Sequence, residues 1–459
     1  MMRTPALSVS RVPEVPDSGD EQRRTARPHR TTPRIPFILE SARREGGVQA
    51  QGRSRRRSLA PETPPAEDAG MPCVARPLLV LAACSALLAC GTDGGVGFVT
   101  RDSAGVTIAE NPGPDRPLAW TFERRFAVGG ADEGPEAFSV LRGGVAPGAD
   151  GGLYVFDMLS SRLIAFDSTG RVRWERGRTG GGPGEFSAYQ VWAIAVTPAG
   201  TVEALDLGNM RRTRYGENGD LIGSERLTHP PYRSRIVHTD TGVAVSLPWS
   251  GAQRLVFVVG RDTTLLAEEL GAAAGGMVVF EKCGQARRLP PLFESEDLRW
   301  HGNRDVVVVN AGSRYEIDVY RGARLERRVR RAVPPREPSA EAMRAWYPDG
   351  FVARRDGTTC RLSAEEVAVH VGWAPLVPAI RDLAVAPTGE TWVARDPGRD
   401  GRSALDVISA EGRYLGTLPA GTPVPVAFTA GGDVVVLERN DVDVQRLVVY
   451  RVLRDGTGP

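Results

Sequence analysis

The sequence predicts an all-β fold: a six-bladed β-propeller closed by an N-terminal strand, with a small helical insertion between blades four and five. Three observations carry this expectation. A glycine-rich stretch occurs twice, as "VGGADEGPEAF" (128–138) and, 48 residues later, as "RGRTGGGPGEF" (176–186). Triplets of short strand-like segments recur from there to the end of the chain. The last unit stops one strand short, and an unassigned strand-like segment precedes the first.

The first two units align beyond their glycines, "VAPGADGGLYVFDMLSSRLIAFDSTG" against "AVTPAGTVEALDLGNMRRTRYGENG". Each reads as an apolar strand ending in a Pro or Asx turn with Gly, then a strand such as "LYVFD", then a strand such as "RLIAFD" closed by "STG". Similar triplets follow: "SRIVHTDTG", "VAVSLP" and "QRLVFVVGRD"; "DLRWHGNRD", "VVVVN" and "YEIDVYRG"; "RDLAVAPTG", "ETWVARD" and "ALDVISAEG"; "VAFTAGGD", "VVVLE" and "RLVVYRVL". Six short-stranded units with even turn signals indicate radial β repetition over 118–453. The last unit ends near Leu453, and "LAWTFERRFAV" (118–128) is placed to complete it, which removes the exposed edge of an open array. The stretch "RTGGGPGEF" itself invites a phosphate-loop reading. No Lys follows it, the GxGxxG spacing fails and the downstream residues alternate like strands, so it reads as a connector between units.

Residues 331–378 depart from the repeat. "PSAEAMRAWYPDG" predicts a short helix started by Ser339 and ended near Pro348, and Ser363 with Glu366 has capping-box spacing for a second. Such an insertion reads either as a binding element or as a structural flap.

The chain has 459 residues and a formal charge of +2, an average over two unlike parts. Residues 1–89 hold 14 Arg against 9 acidic residues, leaving 44 basic and 47 acidic from Cys90 onward, a net of −3. A near-neutral body argues against a nucleic-acid partner, which requires a clustered basic face. Residues 1–70 are rich in Arg, Pro, Ser and Thr without apolar periodicity, and read as disordered or as an extension upstream of the true start at Met71. From there "MPCVARPLLVLAACSALLACGTDGG" reads as a signal segment over 71–89: Arg76 is its basic end, and its thirteen-residue apolar run falls short of the roughly 20 needed to span a bilayer. Leu87-Leu88-Ala89-Cys90 resembles a bacterial lipobox, with Leu88 a departure from it. Leu81-Ala82-Ala83-Cys84 fits the box better but leaves too short an apolar run. Lipidation is therefore expected at Cys90, followed by a linker over 90–117, and 454–459 reads as a tail. The protein is expected to be exported and held to the outer membrane or periplasmic face by lipid alone. With Cys90 acylated, Cys283 and Cys360 remain free to form a disulfide, or stand as two buried thiols. No cysteine or histidine spacing suits structural zinc.

The run GPGEF, a Pro-x-Gly turn and "YVFDMLSSRLIAFDSTG" resembles the NHL-type repeat of six-bladed propellers. Its D-x-x-N-x-R element is matched by Asp206, Asn209 and Arg211, and in the first unit by Asp157, Ser161 and Arg162 with a shift of one. The resemblance is specific in the first two units and diffuse in the rest.

Chemistry-bearing residues are sparse. Asp157, Asp206, Asn310, Asp396 and Glu438 recur near one place in five units, either as a cation-binding ring or as strand-end groups bonded to turn backbone. His229, His238, His301 and His370 have no metal spacing, no GxSxG or EF-hand loop exists, and no catalytic or metal-ligating residue is assigned. Residues just ahead of each innermost strand would line the channel mouth: Arg142, Trp192, Arg233, Arg235, Glu296 and Arg381, with Val424 adding no polar group. Several Arg and a Trp there would suit an anionic or aromatic ligand, or form only a solvated rim. Trp249 and Trp300, like Trp192, read as blade packing. The resulting expectation is a monomeric module without catalysis or cofactor that binds a protein or small molecule. The alternative is a hydrolase similar to the six-bladed lactonases, with a divalent cation such as Ca²⁺, for which Glu296 is the one acid placed at the mouth.

Overall fold

The computed structural model describes residues 97–454 apart from 131–136, 139–140, 142–143, 189–190, 228–234, 250–251, 269–275, 290, 294–297, 335, 349, 356–357, 398–402 and 440–443. The upstream extension, the signal segment, Cys90 and residues 455–459 lie outside them.

Six blade sheets follow one another along the chain, antiparallel except for one pairing in blade four. Blade one comprises Val145–Pro147, Leu153–Asp157, Arg162–Phe166 and Val172–Arg176; blade two Val191–Val196, Val202–Asp206, Arg211–Tyr215 and Leu221–Arg226. Blade three comprises Ile236–His238, Val243–Trp249, Ala252–Val259 and Asp262–Glu268; blade four begins with Arg299–Gly302, Val307–Asn310, Glu316–Arg321 and Arg324–Arg331. Blade five comprises Ile380–Val385, Thr391–Pro397, Ser403–Ile408 and Tyr414–Leu418; blade six Ala427–Phe428, Val434–Arg439, Gln445–Leu453 and Thr121–Gly129. The last of these strands comes from the N-terminal side of the ring, pairing from Thr121↔Leu453 to Gly129↔Arg446, so the propeller closes as the sequence predicts.

Burial explains why the second strands are largely apolar, with Glu203 in blade two buried against partners. Leu153–Asp157 and Val202–Asp206 are buried at every position because neighbouring blades cover both faces, whereas the outer Leu221–Arg226 is almost wholly exposed. Seven turns share one device: Gly151, Gly170, Gly200, Gly219, Gly389, Gly412 and Gly432 adopt φ of +81° to +88° and donate N–H to the carbonyl three residues back. Only glycine takes that backbone freely. At Gly219 a Cβ would also meet the Trp174 ring at 2.8 Å.

The repeated glycine stretch is a connector with its own anion. In the second copy Glu185 accepts the Gly182 N–H at 2.7 Å and the Arg178 Nε–H at 2.8 Å, and these bonds hold its carboxyl below the usual range. Phe186, fully buried, stands edge-on to Phe156 at 5.0 Å and closes the blade one–two seam. Its ring lies against Gly177, as Phe138 lies against Gly129 in the first copy.

The D-x-x-N-x-R element clamps this connector. Asp206 accepts the Asn209 backbone N–H at 3.1 Å, Asn209 Nδ2 donates to Gly180 O at 2.8 Å, and Arg211 donates to Gly181 O at 3.1 Å and Glu185 O at 3.0 Å. In blade one the matching residue is Ser160, not Ser161. Ser160 Oγ donates to Asp157 at 2.7 Å, while Ser161 (φ +54°) is the counterpart of Met210 (φ +49°). The two elements therefore share one spacing, without a shift.

Residues 97–117, expected within the linker 90–117, are structured. Val99–Ser103 and Val106–Asn111 form a hairpin whose second strand runs parallel to Arg324–Arg331, giving blade four six strands. The arm then crosses blade five, where Pro117 bridges Thr417.

Both expected helices form within 331–378, around a strand hairpin. Helix α1 (Ala340–Trp346) is capped by Ser339, and α2 (Ala364–Val371) opens with the Ser363–Glu366 capping box. Between them Phe351–Arg355 pairs with Thr358–Leu362. An insertion before blade four supplies a second hairpin, Gly276–Phe280 with Gln285–Leu289. The two insertions share a core that includes Val278, Phe280, Phe293, Met343 and Val367. Cys283 and Cys360 are joined across it, with Cα atoms 6.0 Å apart. Each insertion leaves from the end of an outer strand and returns at the start of an inner one, so both stand on the face where the inner strands begin. Among the described residues no helix is long and apolar enough to cross a membrane.

Candidate functional site: the central channel

The inner strands of all six blades enclose a channel of about 880 Å³. Its lining divides in two. Blades six, one and two contribute only small or apolar side chains among the described residues, including Leu141, Val145, Ala193, Ala195, Val424, Val426 and Leu437. Blades three to five contribute Arg235, His238, Asp240, His301, Asn303, Arg304, Asp305 and Asp382.

The polar half is braced from blade to blade. His238 Nε2 lies 3.0 Å from Glu203 Oε2 of blade two. Burial pushes Glu203 up, but the His238 hydrogen bond and the Arg212 charge outweigh it and leave the carboxyl below its ordinary value. Arg235 Nη1 donates to Trp300 O at 2.9 Å, linking blades three and four. His301 Nδ1 accepts the Val385 N–H at 3.2 Å, and Asn303 Nδ2 donates to Ala386 O at 2.8 Å, linking blades four and five. Burial first, then the nearby Arg235 charge, holds His301 well below the usual histidine range, so it stays neutral. With Nδ1 accepting, Nε2 carries its proton.

Of the residues expected at the mouth, the channel receives Arg235 and Val424. Arg381 does not line it. It is the extra residue of a bulge between Ile380 and Asp382, which turns Asp382 to the channel and leaves the Arg381 guanidinium 5.6 Å from the Trp346 ring of α1. Trp192 occupies the same bulge position in blade two, between Val191 and Ala193; nothing is described of its side chain. Arg142, Arg233 and Glu296 lie outside the described residues, as does His229. The sequence alone places none of His301, His238 and Asp382 in the channel. Their signal was position within an innermost strand, which the expectation of lining residues just ahead of each strand passed over, and at Asp382 a bulge obscured it further.

The recurring acids serve the blades. Asp157 accepts Ser160 Oγ and the Leu159 N–H, Asp206 binds Ser187 and Asn209, and Glu438 binds Arg446 and Tyr450. Asn310 donates to Arg314 O and Glu316 O. Asp396 pairs with Arg336 at 2.5 Å and accepts Trp346 Nε1–H, fixing α1 to blade five, while burial raises its carboxyl. Trp300 is buried in the blade three–four core. Among the described residues no group of three His, Cys, Asp or Glu side chains converges as a metal site.

No family model matches the chain, and no curated protein matches it. Among solved structures it is similar to a candidate exported protein from Bacteroides fragilis, at 11% identity and TM-score 0.46 over 76% of this chain and 100% of the other. A member of the DUF4221 family from Bacteroides vulgatus aligns at 10% identity and TM-score 0.40, over 74% and 99%. A gluconolactonase from Xanthomonas campestris aligns at 11% and 0.33, over 74% and 98%.

Proposed function

We propose that the protein is an exported, lipid-anchored propeller of NHL type whose channel binds an amphipathic small molecule without transforming it. The observation that carries this reading is the divided lining: an apolar half-wall from blades six, one and two faces a polar half-wall bearing Arg235, His301 and Asp382. An apolar body would lose water against the first, and an anionic head would meet the Arg235 guanidinium. The neutral His301 beside it adds no charge to a half-wall that also carries the Asp382 carboxylate, so Arg235 is the group that would receive an anionic head.

The test is titration with a dansylated undecanoic acid and its uncharged amide, read by fluorescence. The acid binds the intact protein, Val424→Asp abolishes binding of both, and Arg235→Ala weakens the acid roughly tenfold while sparing the amide. Equal loss of both probes in Arg235→Ala overturns the proposed orientation, and no binding of either overturns the site. The anchor is read separately: palmitate labelling of the exported chain disappears in Cys90→Ser, and labelling that persists places the lipid elsewhere.

A further inference from the structure

We propose that the two joined insertions dock on the membrane surface to which the protein is anchored, with Met277, Val279, Val369 and Trp373 in its interfacial layer. The proposal rests on the lipid at Cys90.

The first observation is an apolar end on the insertion body. Met277, Val279, Val369 and Trp373 are 49%, 50%, 83% and 48% exposed. On the strand Gly276–Phe280 burial alternates, so Val278 and Phe280 enter the core while Met277 and Val279 face outward. The segments that carry the four are neighbours. Gly276 packs so closely on the His370 carbonyl that a Cβ would collide with it, which sets Met277 beside the end of α2 that carries Val369. Trp373 follows at once, held by its bridge to Leu292. The pattern of one large amphipathic ring with aliphatic neighbours suits the boundary between headgroups and acyl chains.

The second observation is where the anchored chain enters the fold. Val99 pairs with Glu110, and Asn111 runs parallel beside Arg331, so the arm begins at the Arg331 end of blade four. That is the face from which the insertions rise and on which the channel opens at Arg235. Phe98 packs on the same core as Val333, the residue leading into the second insertion. Six residues lie between Cys90 and Gly97, and even fully extended those seven Cα steps reach only about 25 Å. A lipid at Cys90 therefore keeps this face close to the bilayer, and an apolar end standing on it meets lipid ahead of any soluble partner. Docking would hold the channel mouth toward the membrane, from which an amphipathic ligand is drawn.

The full chain, expressed with its own leader, is reconstituted into phosphatidylethanolamine–phosphatidylglycerol vesicles that carry a phospholipid brominated on its upper acyl carbons. Tryptophan fluorescence is read, and intact mass reports acylation on the same sample. Quenching is expected, and Trp373→Phe should remove more than half of it. Val369→Asp, at a position already exposed and harmless to folding, should reduce it to a similar extent. An acylated protein whose quenching is absent, or unchanged in both variants, overturns the docking and leaves the anchor standing. A chain without the acyl mass overturns the anchor and the docking with it.

Discussion

Two seams between neighbouring blades share an apolar core and differ in what is added to it. The blade one–two seam is aromatic: Phe156, Trp174, Phe186 and Tyr215 share one buried cluster. The blade four–five seam has an apolar core as well, with Ile317, Val329, Leu383 and Val393 among its members, and adds a buried ionic cluster to it. Arg331, with its side chain 1% exposed, donates to Asp406 at 2.8 Å and to Asp115 of the arm at 2.5 Å, and its guanidinium lies 3.8 Å from the Tyr414 ring. Asp406, itself fully buried, also accepts from Tyr315 at 3.0 Å and Thr417 at 2.6 Å, and lies 3.4 Å from Arg395. Burial outweighs these partners and raises its carboxyl. The aromatic seam is built from the repeat itself. The ionic cluster lies where the arm joins the ring, with Asn111 Nδ2 donating to Gly412 O at 2.8 Å and Asn111 Oδ1 accepting the Tyr414 N–H at 2.7 Å. Apolar packing closes both seams, and at the blade four–five seam directional charged bonds are added where a non-repeating segment docks.

The sharpest way to break this contrast is Asp406→Ala. It leaves Arg331 buried without its main counter-charge and should cost about 5 kcal/mol, whereas Asp406→Leu combined with Arg331→Met should lie within about 2 kcal/mol of the parent. Thermal unfolding of the three proteins decides it. A double variant as unstable as the single one would show that the charges themselves hold the seam together. Phe186→Ala should cost about 4 kcal/mol, because a cavity opens between two blades and neither can close over it. No double replacement compensates for that loss.

Next in size is the Cys283–Cys360 link, which spans 77 residues and in the loop-entropy account contributes about 4 kcal/mol. Its loss acts on the insertion body. Cys283→Ser with Cys360→Ser should speed proteolysis within the insertions while the main unfolding transition of the ring moves little. A parallel fall in both would show that insertion and ring unfold as one unit.

The smallest effect concerns pH. His301 is held below its ordinary value in the fold, so the unfolded chain binds a proton that the native chain refuses as pH falls below about 6.5. Stability is therefore fully present above that pH and declines below it, by up to about 1.4 kcal/mol per unit from this group. His301→Gln should flatten the stability profile between pH 7 and 5. An unchanged slope would remove His301 from the account.

Much of the ring was legible because its signals are local. A buried second strand such as "LYVFD" needs only a run of apolar residues, its turn needs only glycine at a left-handed position, and both helix starts were marked by a serine three residues from its bonding partner. The strand at Thr121–Gly129 was legible because an incomplete last unit requires one. The arm was not. Its strand Val106–Asn111 pairs in parallel with residues more than two hundred positions away, and nothing in "VTIAEN" names that partner. Nor was the sidedness of the channel, since one extra residue at the blade five bulge exchanges Arg381 for Asp382.

By itself, then, the sequence determined the number of blades, their turns, the closing strand, the capped helices and the cysteine pair available to join the insertions. These follow from short-range geometry and from counting. Only the tertiary structure decided which half of the channel is polar, which carboxylates are buried against arginine, and where the arm seats. Those properties arise where residues distant in sequence are brought to one place, and burial there sets both their charge state and their partners.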